Sequence, residues 1–94
     1  MDNLFLKQKN PTEINDGIAH RIRLMRKHLK LSQEKLSEKS GVSLGSVKRF
    51  ERTGEISLIS LTKIAIALSC DNELQNLFYD QPFKSIQEVI DGQD

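Results

Sequence analysis

The sequence predicts an all-α fold: a compact bundle of five short helices followed by a short C-terminal tail. Between Thr12 and Phe78 the apolar residues recur at spacings of three and four, the period of one helix face. No segment shows the period-two alternation of a half-buried strand. Punctuation agrees with this reading, because hydroxyl residues able to cap helices stand at Thr12, Ser32 and Ser43, and helix-ending glycines at Gly41 and Gly54.

An N-terminal arm is assigned to residues 1–11, with Pro11 as its punctuation. Thr12, followed by Glu13, is expected to cap the first helix, whose apolar stripe is Ile14, Ile18, Ile22, Met25 and Leu29. Its opposite face carries His20, Arg21, Arg23, Arg26, Lys27 and Lys30. Ser32 caps a second helix of about two turns that carries Leu36 inward and ends at Gly41. Gly41-Val42-Ser43 then forms a turn, with Gly41 supplying a positive φ and Ser43 capping the third helix. Val47 and Phe50 are that helix's inward face, and Gly54 closes it. Leu61, Ile64, Ala65 and Leu68 form the stripe of a fourth helix. Asp71 is expected to cap a last turn or two, with Leu74, Leu77 and Phe78 facing in. The domain therefore spans 12–79, and 80–94 is an acidic, apolar tail carrying Phe83, Ile86, Val89 and Ile90.

With 94 residues, 37% of them hydrophobic, the chain suffices for one small core. No apolar run approaches the roughly 20 residues of a membrane span, and a cytoplasmic protein is expected. One cysteine, Cys70, makes no internal disulfide and is read as a small buried thiol near a helix end. With only His20 and His28 beside it, no metal-ligand cluster of familiar spacing occurs, and no cofactor is implied. Nor is there a nucleophile paired with a base or a glycine-rich phosphate loop, so an enzyme is not expected.

The net charge of +1 conceals a segregation. From Ile18 to Lys63, eleven Lys or Arg stand against four Glu, a net +7. From Asp71 to Asp94, one Lys stands against six acids, a net −5. A basic body is either an ordinary solvated surface or the footprint of a polyanion partner.

Two helices joined by a short glycine-containing turn, within a small all-α domain, form either part of a plain bundle or a unit that lays its second helix in the major groove of DNA. The stretch LSQEKLSEKSGVSLGSVKRFERTGEISLISLTKIAIAL resembles the helix-turn-helix of the XRE family, which includes the lambda repressor and Cro. The likeness runs from about Ile18 to Phe78 and includes Ser32-Gln33, Leu36, Gly41-Val42-Ser43, Val47, Phe50-Glu51 and Leu61-Ile64-Ala65-Leu68. It implies a five-helix domain that binds operator DNA as a homodimer.

Carried over by position, the resemblance places the phosphate-binding glutamine on Gln33 and the base readers on Leu44, Gly45, Lys48 and Arg49. Ser43 and Ser46 match backbone-contacting positions, and Glu51 matches a glutamate that is mainly structural. Leu44 suits a thymine methyl, and Gly45 lets the helix approach closely. Arg49 is the better guanine reader, because its guanidinium bonds O6 and N7 together. One strong reader per subunit calls for a dimer on a palindrome. Arg52 on the third helix, with Arg21, Arg26, Lys27 and Lys30 from the first, are further phosphate candidates, and Lys7 and Lys9 are weaker ones in the arm.

Two functions are open. One is a sequence-specific transcriptional regulator, repressing its own operon by occlusion. The other is an antitoxin resembling HipB, which also neutralises a partner toxin. Phe83, Ile86, Val89 and Ile90 suit a dimer interface, a partner groove or the cap of the core.

Overall fold

The computed structural model describes residues 8–80. They form five helices: α1 (Pro11–His28), α2 (Gln33–Ser40), α3 (Leu44–Thr53), α4 (Leu58–Ala67) and α5 (Asp71–Gln75). Among the described residues there is no strand. α1 packs on α3, α2 packs on both α3 and α4, and α5 packs on α4. The centre is Leu36, Val47, Phe50 and Ile64, all essentially without solvent contact, closed by Ala19, Ile22, Val42, Ala65, Ala67, Leu68 and Cys70. Desolvation, followed by the nearby charges of Glu73 and Asp71, pushes the Cys70 thiol above its ordinary range.

Caps set most of the helix boundaries. Ser32, Ser43 and Ser57 each accept a hydrogen bond from the backbone N–H three residues on, and Gly41 and Gly54 end α2 and α3 at φ 78. The first helix starts two residues earlier than expected: its cap is Asn10, not Thr12. Asn10 Oδ1 accepts from the Glu13 N–H at 2.8 Å while Glu13 Oε1 accepts from the Asn10 N–H at 3.1 Å, a reciprocal capping box. Pro11 then sits in the first turn, where no N–H is required of it.

The buried stripe of α1 is also rotated from the expected one. Ala19, Ile22 and Arg26 are its buried residues, Ile18 and Met25 flank them, and Ile14 and Leu29 are about half exposed. Arg26, read from sequence as a surface cation, is therefore interior. At the other end, α5 stops at Gln75, and only Leu74 of the expected trio packs on the core; Leu77 and Phe78 are exposed. Asp71 is the first residue of α5, and its cap position is Cys70, with no side-chain cap bond. Lys7 and the tail residues Phe83, Ile86, Val89 and Ile90 lie outside the described residues. No helix among the described residues is long and apolar enough to cross a membrane.

Candidate nucleic-acid interface

The turn between α2 and α3 is built by small polar groups. Gly41 N–H returns to Ser37 O at 2.9 Å, Ser37 Oγ donates to Val42 O at 2.6 Å, and Val42 N–H donates to Ser40 Oγ at 3.1 Å. Val42 is buried by this turn and anchors it to the core. Ser43 then starts α3: its Oγ accepts from the Ser46 N–H at 3.2 Å and donates to Ser46 Oγ at 2.9 Å.

α3 has two faces. Val47 and Phe50 are buried against the bundle. Gly45, Lys48, Arg49 and Arg52, at spacings of three, four and seven, share the opposite face, and all four are exposed. Leu44 lies at the edge, half-buried, and Ser43 and Ser46 are exposed at the helix head. A Cβ added at Gly45 would meet nothing within 4 Å, so the surface is open to close approach there.

The one acidic residue of α3, Glu51, is turned away from this face. Its Oε2 accepts from Arg26 Nε at 2.7 Å, and its Oε1 accepts from Arg26 Nη2 at 2.9 Å and from Gln33 Nε2 at 3.0 Å. Arg26 Nη1 also donates to Leu31 O at 2.8 Å. A bidentate pair therefore joins α1 to α3, Gln33 adds the head of α2, and the structural role expected of Glu51 is what the geometry shows. Desolvation alone would raise the Glu51 carboxyl. The hydrogen bonds from Arg26 and Gln33, with the charges of Arg26 and Arg23, outweigh it and hold the group below its ordinary range. With its only carboxylate neutralised inside, α3 presents an outward face whose charges are all positive.

Other candidates fall into place unequally. Gln33, half-buried at the first turn of α2, has its amide tied to Glu51, with the second Nε2 hydrogen unassigned to that bond. Arg21 and Lys30 are exposed, but on α1 and the turn after it, and the Arg21 guanidinium folds back along its own helix to Gly17. Arg26 is withdrawn as a phosphate contact, because its guanidinium is spent on Glu51 and Leu31 O.

Sequence reasoning missed Glu55. Its Oε1 accepts from Arg49 Nη2 at 2.5 Å, six residues apart across the end of α3. No periodic signal marks it, since the chain reverses at Gly54 between the two. Arg26 did carry a signal: it lies four residues after Ile22 and seven after Ala19, in register with the buried stripe.

The helix-turn-helix family model matches residues 22–71, from the second half of α1 to the start of α5. No curated protein matches the chain. The matched family is a DNA-binding regulator domain and not a catalytic one. Buried α1–α3 pair, glycine turn, capped α3 and the matched span agree, and the chain belongs to the XRE-type helix-turn-helix family.

Proposed function

We propose that the protein is a sequence-specific transcriptional regulator that binds a palindromic operator as a homodimer and represses by occluding polymerase in the cytoplasm. The observation that carries this reading is the outward face of α3: Gly45, Lys48, Arg49 and Arg52 exposed together, with Glu51 turned inward. A helix fits the major groove only if its outer side chains are exposed and its backbone approaches closely, and Gly45 provides that approach. Arg49 and Lys48 would read base edges with Leu44 beside them; Arg52, Gln33, Ser43, Ser46, Arg21 and Lys30 would hold phosphates and set the register. Exposed Leu58, Ile59 and Ile66 on α4 offer apolar surface for the second subunit.

The test is a fluorescence titration against a duplex from the protein's own upstream promoter and a scrambled duplex, at two salt concentrations. Tighter binding to the promoter, with a steep salt dependence on both, is the expected result. Arg49→Ala should reduce discrimination by about 1–3 kcal/mol and leave scrambled-sequence binding largely intact. Equal weakening on both duplexes would make Arg49 a phosphate contact. Antitoxin activity would rest on the acidic segment with Phe83, Ile86, Val89 and Ile90; copurification with the product of a neighbouring gene tests it.

A further inference from the structure

We propose that Glu55 is a specificity-determining residue of the DNA interface: its carboxylate occupies the Arg49 guanidinium and reserves it for base edges rather than phosphates. This inference rests on the reading of α3 as the recognition helix. Arg49 Nη2 and Glu55 Oε1 are 2.5 Å apart, and both side chains are more than half exposed. An exposed pair of this kind contributes little to stability, so folding does not account for it.

The position of Glu55 is nevertheless built. Thr53 Oγ1 donates to the Arg49 carbonyl at 2.7 Å and accepts from the Glu55 N–H at 3.1 Å, which ties the backbone of Glu55 to the backbone of Arg49. Between them Gly54 adopts φ 78 and donates its N–H to Phe50 O at 2.8 Å. Gly54 is buried so closely on α1 that a Cβ there would lie 2.9 Å from the Asn15 carbonyl carbon. The reversal that brings the carboxylate round to Arg49 is thus held against α1.

The consequence lies in how an arginine chooses partners. A guanidinium has five N–H donors, and a phosphate attracts it on any DNA sequence. Paired to Glu55, Arg49 gains nothing by exchanging one anionic oxygen for another, and the exchange leaves a carboxylate facing the phosphates. At a guanine in register the remaining donors reach O6 and N7 while the carboxylate keeps its own bond. Discrimination therefore comes from weakening the wrong complexes as well as from strengthening the right one.

The experiment compares wild type, Glu55→Gln and Glu73→Gln, the last making the same charge change on α5. Each is titrated against the best duplex selected from a randomised pool and against its scrambled version, over a range of salt. Glu55→Gln is expected to bind the scrambled duplex several-fold more tightly. Its log–log salt slope there should be steeper by about 1 per subunit, with the preference for the selected duplex reduced in proportion. Glu73→Gln should leave that preference unchanged. A Glu55→Gln protein with wild-type preference, or one tightened equally on both duplexes, overturns the inference and leaves the recognition reading standing. A wild type without preference overturns both.

Discussion

Truncating Glu51 to alanine removes a carboxylate that joins three helices, and the structure sets the size of the effect. The Glu51 side chain is 5% exposed and that of Arg26 8%, so the variant leaves a guanidinium buried with only Leu31 O as acceptor. Gln33 loses its acceptor as well. Breaking a buried pair by deleting one partner costs about 3–5 kcal/mol, because the remaining charge is uncompensated. For a domain of this size each kcal/mol moves the melting temperature by about 4–8 °C, so a loss of about 3 kcal/mol lowers it by roughly 12–24 °C. Thermal and urea unfolding followed by circular dichroism measure this directly. The paired replacement Arg26→Met with Glu51→Leu removes both charges and fills the space with apolar atoms, and is expected to recover most of the loss. A Glu51→Ala protein within about 1 kcal/mol of wild type, or a double variant no better than the single, would refute the argument that an uncompensated interior charge is what the pair prevents.

The same group gives an acid prediction. The folded Glu51 carboxyl lies below its ordinary value of 4.5, so its contribution is complete above that pH and is lost as the pH falls through the lowered value. Urea midpoints across this range should fall more for wild type than for the Arg26→Met, Glu51→Leu double variant. Gly54→Ala should destabilise more than Gly41→Ala on thermal melting: both glycines have φ 78, but only at Gly54 does the added Cβ meet backbone, 2.9 Å from Asn15. Gly45→Ala should do the opposite to stability, raising it by up to about 1 kcal/mol in the same melts, while weakening DNA binding because the methyl stands where the groove approaches.

What the sequence made legible was local. Ser32 and Ser43 cap through bonds three residues long, and Gly41 and Gly54 end helices by their own backbone freedom, so local sequence exposes them, whereas the same cap at Ser57 was not read. At the start of α1 two residues able to cap, Asn10 and Thr12, flank a proline; only the reciprocal bonds with Glu13 decide for Asn10. The rotation of α1 was hidden for another reason. A stripe drawn through the largest apolar residues, Ile14 and Leu29 included, overlooks that small Ala19 packs inward and that Arg26 is drawn in by a glutamate 25 residues away. Periodicity registers hydrophobicity along one helix and carries no information about a distant ion partner. Leu77 and Phe78 were placed inward by assuming that α5 continued, whereas it ends at Gln75. In the candidate interface, Gly45, Lys48 and Arg49 came from the family resemblance, with Arg52 added from the far end of the same helix, and not from spacing. The partner of Arg49 did not, because Glu55 reaches it only through the reversal at Gly54.

The central claim is that the outward face of α3 meets DNA. Its most direct test is a heteronuclear NMR titration of the protein with a duplex selected from a randomised pool. Chemical-shift changes concentrated on Gly45, Lys48, Arg49 and Arg52, with α5 unaffected, are the predicted result. Changes concentrated on α4 and α5, or none at saturating duplex, would contradict it.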